Sequence, residues 1–205
     1  MNDARPKAYH HGDLRNALLG EAHRLLEAEG IPALTLRAVA RGVGVTHAAP
    51  ANHFGDLTGL LSDLAADGFE RLADALVAGA EAAGADPVAR GRGIGEAYVA
   101  FAQSHPGLFT LMFRQERLDR ERPALKAAIA RARQGLAGII AEQSDAARLS
   151  STAATARATA LWSLVHGYAV LLIDGRLKST LSALPEGTSP GAFFNLVLDS
   201  ISITQ

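Results

Sequence analysis

The sequence predicts an all-α protein on three observations. Ala and Leu recur throughout while aromatic residues make up only 5% of 205, a mixture that suits close-packed helices better than sheets. Apolar residues return at spacings of three and four along most of the chain. No alternating apolar and polar run is long enough for a strand. With 48% hydrophobic and 20% charged residues, the chain reads as globular rather than disordered.

Residues 1–11 form a polar tail ending in Tyr9-His10-His11. A helix is expected from Gly12-Asp13, with Asp13 as its N-cap. Leu14, Leu18, Ala22 and Leu25 share one face, and Gly30 and Pro32 end the helix. Thr35 is the N-cap type that opens a second, short helix with Leu36, Val39, Ala40 and Val43 at amphipathic spacing. Gly44 stops it. Thr46 is a further N-cap candidate, for a third helix over 47–53 with Pro50 in its first turn, where proline costs little. Asp56 begins a long helix towards Ala83, about 28 residues and ~42 Å at ~1.5 Å per residue. Helices follow over 87–104, 106–114, 123–143, 150–174 and 190–203, with breaks at His105-Pro106-Gly107 and at 184–191.

Composition excludes several function classes. There is no cysteine, so disulfide scaffolds, cysteine nucleophiles, thiolate zinc sites and iron–sulfur clusters are out. Its absence also fits a reducing compartment, and the polar N-terminus does not read as a signal peptide; a cytoplasmic protein is expected. Twenty Lys and Arg against 21 Asp and Glu give a net charge of −1, which points to neither nucleic acid nor membrane. The longest strongly apolar stretch without a charged residue, 158–173, spans 16 residues and contains His166 and Gly167. It falls short of the ~18–20 that a membrane helix needs and is read as a buried helix; no membrane partner is expected. Gly91-Arg92-Gly93-Ile94-Gly95 lacks the spacing and the preceding strand of a phosphate loop. Glu116, Asp119 and Glu121, among Arg114, Arg117, Arg120 and Arg122, read as a solvated charged turn. There is no His-Glu-x-x-His, Glu-x-x-His or Gly-x-Ser-x-Gly pattern. No catalytic residue, metal site or cofactor is expected, and the chain is not expected to be an enzyme.

The informative region is 35–54, a capped two-turn helix, a tight Gly-containing turn and a second short helix, which is the layout of a helix-turn-helix. Two short helices crossing steeply need Gly44 in the turn and an apolar plug, Val45. The second helix must offer small or polar groups to enter a major groove ~12 Å wide. Thr46, His47, Ala48, Asn52 and His53 qualify, with Thr35, Arg37 and Arg41 on the preceding helix as further DNA contacts. Asn52 could pair bidentately with adenine, or it could cap or face solvent.

The run Ile31-Pro-Ala-Leu-Thr35-Leu-Arg37-Ala-Val39-Ala40-Arg41-Gly-Val43-Gly44-Val45-Thr46, followed by His53-Phe54 and Leu60-Leu61, resembles the N-terminal domain of the TetR family of bacterial regulators. Tyr9-His10-His11-Gly12-Asp13-Leu14-Arg15 and Ala49-Pro50 resemble one TetR subgroup. His105-Pro106-Gly107-Leu108-Phe109 and Leu161-Trp162-Ser163-Leu164-Val165-His166-Gly167 resemble that subgroup's Trp-His-Gly ligand-binding domain. The resemblance spans nearly the whole chain. It implies a helix-turn-helix domain over 1–55, a helical effector-binding and dimerisation domain over 56–205, double-stranded operator DNA as a partner, a small-molecule effector, and a homodimer acting as a repressor.

Two positions depart from the family pattern. A Tyr is usual where this chain has Ala51, and a Lys where it has Leu57; both typically touch DNA phosphates. Residues 1–55 carry six Lys and Arg against five Asp and Glu, a balance of +1, with five of the seven histidines. That is a thin electrostatic footprint for DNA, although the histidines would add charge below pH ~6.5.

In the C-terminal half, Phe101, His105, Phe109, Met112, Phe113, Trp162 and His166 are candidates for an apolar pocket with polar tips, suited to a small apolar or aromatic effector. Packed core is the competing role for each. Trp162 and His166 are four apart, on one helix face. The last helices read apolar on more than one face, which calls for cover on two sides. Leu164, Tyr168, Leu172, Phe194, Leu198 and Ile201 are the candidate dimer contacts. The reading is a ligand-responsive transcriptional regulator. Its alternatives are a TetR-like small-molecule sensor with weak or lost operator binding and, further off, a helical-bundle enzyme.

Overall fold

The computed structural model describes residues 11–143 and 151–201, and among them every regular element is helical. The order is α1 (His11–Glu29), α2 (Leu36–Val43), α3 (Ala49–Phe54), α4 (Leu57–Ala82), α5 (Pro87–Ser104), α6 (Pro106–Met112), α7 (Pro123–Gln143), α8 (Ser151–Ile173), α9 (Lys178–Ser182) and α10 (Pro190–Ser200). Short 3-10 turns at Ile31–Ala33 and Gln115–Arg117, and the one-turn α9, are additions to the sequence expectation. The tail 1–10 and the expected end of the last helix past Ile201 lie outside the described residues.

Local chemistry sets most boundaries. Thr35 Oγ1 accepts from the Ala38 amide at 3.0 Å, capping α2. Gly44 leaves α2 at φ 78°, a left-handed conformation that glycine adopts without strain, and Val45 N–H donates back to Ala40 C=O at 3.0 Å. Asp56 Oδ1 caps α4 through the Gly59 amide at 2.8 Å. Two expectations are corrected. Asp13 lies inside α1 rather than before it. Thr46 does not cap α3: its carbonyl closes a turn to the Ala49 amide at 3.0 Å, and the helix starts at Ala49. Residues 45–48 make the turn between the two helices, and Ala48 stands at the N-cap of α3 with no side-chain cap.

α4 is the central strut. Leu60, Leu61, Leu64, Phe69, Leu72 and Leu76 are buried along it, and α1, α3, α5, α6 and α7 all touch it. α4 and α5 meet where Gly79 faces Gly93; a Cβ on Gly79 would come within 2.6 Å of the Gly93 carbonyl. Gly93 and Gly95 are thus packing devices. Gly93 allows that close crossing, and Gly95 leaves room for the Phe194 ring of α10.

The helix over 151–173 is the main departure. Its apolar run predicts burial, yet only 17% of its most apolar 18-residue window is buried. Its 22-residue stretch Thr152–Ile173 is long and apolar enough to cross a membrane, at mean hydropathy 1.3, because the helix begins upstream of the charge-free run and tolerates Arg157 within it. Trp162, Leu171, Leu196 and Ile201 are large apolar residues left exposed on α8 and α10 or just beyond.

Polar contacts fix how α1 and the segment before α7 meet α4. The Asp63 carboxylate, 4% exposed, takes Arg15 Nη2 of α1 at 2.6 Å and Arg122 Nε at 2.5 Å. Arg15 also lies over the Phe54 ring of α3, 5.5 Å from its centre. Ser62 Oγ donates to Thr58 C=O and accepts from the Asp119 amide. Glu27 of α1 accepts from the Gly107 and Leu108 amides at the start of α6, at 3.0 and 2.9 Å. The segment 114–122, expected as a solvated charged turn, is therefore anchored to the core through Asp119 and Arg122. Its spacing gives no hint of this, because the acid that Arg122 meets lies 59 residues away.

Arg122→Ala should cost about 2 kcal/mol, because the buried Asp63 carboxylate loses two charge-assisted hydrogen bonds and keeps only Arg15 as a partner. Arg15→Ala should cost only about 1 kcal/mol, since its partly exposed side chain is screened by solvent. Adding Asp63→Leu to Arg122→Ala should recover part of the loss. Urea unfolding midpoints measure all three, and equal losses for the two arginines would contradict this ranking.

Candidate functional site

The first candidate face is built by α2 and α3. Val39 and Ala40 of α2, with Pro50 and Phe54 of α3, are buried and hold the pair against α1 and α4. Val45 plugs the junction, as its position in the turn predicts. With those faces used, Arg37, Arg41, Thr46, His47, Ala48 and Asn52 are exposed, and His53 is half-buried beside Phe54. Thr35 is exposed as well, but its hydroxyl is engaged in capping. Arg37 and Arg41 are four apart and so lie on one face of α2. Asn52 makes no side-chain hydrogen bond among the described residues, which leaves its amide available. Ala51 and Leu57 are both half-buried, and Leu57 packs on the core.

The second candidate is an open cavity of about 470 Å³ bounded by α4, α5, the end of α6, the 115–120 segment, α7 and α8. Its size is that of a small-molecule site. Phe69 and Leu72, Tyr98, Met112 and Phe113, Leu125 and Ile129, and Trp162 make the walls apolar. Of the sequence candidates, Met112, Phe113 and Trp162 line it. Phe101, His105 and Phe109 do not: Phe101 and Phe109 are core residues, and the His105 ring rests 5.2 Å from Phe101.

His166 stands behind the wall rather than on it. Its ring lies 4.3 Å from Phe113 and stacks at 5.6 Å and 22° on Trp162. Its Nδ1 is 3.0 Å from Tyr98 Oη. Burial pushes the Tyr98 phenol up and the His166 imidazole down, so both are neutral near pH 7. His166 thus orients the two aromatic rings that face the cavity.

Five polar lining residues were not among the sequence candidates: Gln115, Arg120, Arg133, Thr155 and Thr159. They come from three separate segments, and nothing in their spacing marks them as a group. A neighbouring cavity of about 530 Å³ lies between α5, α8 and α10 and shares Tyr98, Ala158 and Trp162 with the first. Arg92 on its wall is paired with Asp199 at 2.7 Å.

Of the candidate dimer contacts, Tyr168 and Phe194 are used inside the chain. Their rings meet at 5.1 Å, and Tyr168 Oη donates to Pro190 C=O at 2.8 Å. Leu164, Leu172 and Leu198 are half-buried, and Ile201 is exposed. Leu171 and Leu196, which lie outside the predicted apolar stripes, are exposed too.

Known proteins share this geometry. Residues 91–200 match the family model described as "Tetracyclin repressor-like, C-terminal domain". No curated protein matches the chain. Among solved structures, a protein of unknown function from Rhodococcus sp. RHA1 is 32% identical, with a TM-score of 0.78 over 95% of this chain and 96% of that one. The TetR family transcriptional regulator PfmR from Thermus thermophilus is 20% identical, with a TM-score of 0.63 over 90% of this chain and 98% of its own. A bacterial regulatory protein of the same family from Rhodococcus RHA1 is 18% identical, at TM-score 0.63 over 91% and 94%. The family match covers more than half of the chain and the fold agrees from end to end, so this protein belongs to the TetR family of transcriptional regulators.

Proposed function

We propose that the protein is a ligand-responsive repressor that binds operator DNA as a homodimer. In this reading residues 1–55 form the DNA-reading domain and 56–205 the effector and dimerisation domain. The observation that carries it is the placement of α4. One end of α4 holds α3 and, through Asp63, α1; further along, Phe69 and Leu72 wall the 470 Å³ cavity. Effector binding acts by favouring an α4 position in which the two reading heads no longer match successive major grooves, ~34–36 Å apart. Arg37 and Arg41 contact phosphates, and Thr46, His47, Ala48 and Asn52 face bases.

The homodimer is supported by the uncovered apolar faces of α8 and α10. Tyr168 and Phe194 are withdrawn from the interface proposed on sequence, and Leu171 and Leu196 take their place beside Leu164, Leu172, Leu198 and Ile201. Burying such side chains is worth about 1.5–3 kcal/mol each. Leu171→Glu with Leu196→Glu should give a folded monomer, since both side chains are exposed in the single chain. Multi-angle light scattering measures the mass, and a wild-type monomer at micromolar concentration would sink the dimer.

DNA binding is expected to be weak for the family, because Ala51 and Leu57 withhold phosphate contacts. Ala51→Tyr with Leu57→Lys should tighten binding to specific and non-specific DNA alike. It should also steepen the salt slope by about two per dimer, at ~0.9 per neutralised phosphate. The lysine stem can keep the packing of Leu57 while its ammonium reaches out. A mobility-shift series in salt, on DNA flanking the gene, provides the test. A steep wild-type slope would show that other residues supply those contacts. Failure of the restored protein to bind any DNA would favour the second reading, a TetR-like sensor without operator binding.

A further inference from the structure

Among the described residues, the charged side chains that line the 470 Å³ cavity are all of one sign: Arg120 and Arg133 stand on its wall, and no described Asp or Glu does. Other arginines of the same region are matched by acids. Arg122 is held by Asp63, and Arg131 by Glu70 and Asp74 of α4, both at 2.5 Å. Residues two apart on a helix lie on nearly opposite faces, so Arg131 meets the acidic edge of α4 while Arg133 faces the cavity. Among the described residues Arg133 has no carboxylate partner. Arg120 donates to Gln115 Oε1 at 2.9 Å, a neutral acceptor, and no ion pair holds it among the described residues. The acid next to it, Glu121, is engaged first by Lys126, with Arg120 a lesser influence.

Two exposed guanidinium groups at the rim of an apolar cavity make a positive field at its mouth, which draws an anion in from solvent. The guanidinium fork matches the two oxygens of a carboxylate. Thr155 and Thr159, one turn apart on α8, bring hydroxyl groups to the same space. The rest of the wall, including Phe69, Leu72, Phe113 and Trp162, is fit for hydrocarbon or an aryl ring.

We propose that the effector is an amphipathic organic monoanion, a carboxylate on an aliphatic or aryl tail, with its anionic end at Arg120 and Arg133 and its tail against these aromatic and aliphatic walls. The proposal rests on the reading of this cavity as the effector site. It narrows the class of apolar and aromatic effectors to acids, and it excludes lipophilic cations.

Trp162 is the chain's only tryptophan and lines the cavity, so its emission reports occupancy. The full-length protein is titrated with octanoate, decanoate and 4-phenylbutanoate, and in parallel with 1-octanol, 1-decanol and octylamine. Carboxylates should bind about tenfold or more tightly than the alcohol or amine of the same chain. Arg133→Gln and Arg120→Gln should each weaken the carboxylates about tenfold and leave the alcohols unchanged, and Arg133→Lys should retain part of the affinity. Both arginines are exposed, so an unchanged thermal midpoint without ligand checks that the variants fold. Alcohols or amine binding as tightly as the acids, with no effect of the arginine variants, would overturn the anion proposal while leaving the cavity as the effector site. No change in emission or thermal midpoint with any of the six probes would overturn both.

Discussion

The structure turns on one buried carboxylate. Asp63 lies near the N-terminal end of α4, on a buried face made mostly of leucine and alanine, where an unpaired charge would cost several kcal/mol. Arg15 and Arg122 are what make it tolerable, and they reach it from opposite directions in sequence. A leucine there would pack as well and would be indifferent to how its neighbours slide. The charge requires α1 and the segment before α7 to be in one register with α4. Arg15 extends that requirement to α3 by resting on Phe54.

The same helix serves both candidate sites. Ser62 and Asp63 hold Asp119 and Arg122, and the segment that ends in those residues supplies Gln115, Leu118 and Arg120 to the cavity wall. Glu27 makes a second tie between α1 and the α6 end of that region. Reading unit and cavity are therefore connected by charge-assisted hydrogen bonds with fixed geometry rather than by apolar contact alone. Contacts of that kind switch between discrete arrangements instead of deforming smoothly.

Electrostatics divides the molecule unevenly. The α2–α3 face has few cations, and its polar groups are small and uncharged apart from Arg37 and Arg41. The cavity concentrates two arginines and, among the described residues, no acid. α8 and α10 are apolar and largely uncovered, a surface that a monomer in water would not keep. Each region thus has the chemistry of a different kind of partner, in one chain of net charge −1.

Local signals make the helix boundaries legible from sequence. Thr35, Gly44 and Asp56 act on backbone groups within three or four residues, so their effect is written in the order of the residues. The recognition unit is legible for the same reason, because a helix-turn-helix is nearly all local. The exception is the start of α3, where Thr46 has a capping side chain but its carbonyl closes a turn to the Ala49 amide instead. What the tertiary structure alone decided lies between distant segments. Apolar spacing identifies a face to be covered but not what covers it, so 158–173 reads as buried when it is mostly open, and Phe194 reads as an intermolecular contact when it fills the space beside Gly95. The charged stretch 114–122 reads as solvated because its buried acid, Asp63, belongs to another helix. Aromatic character suggests Phe109 and His166 for the pocket, yet rings favour core as readily as cavity walls, and only packing separates the two. Arg120 and Arg133 come to one cavity wall only when α7 and the turn that precedes it pack beside α4 and α8.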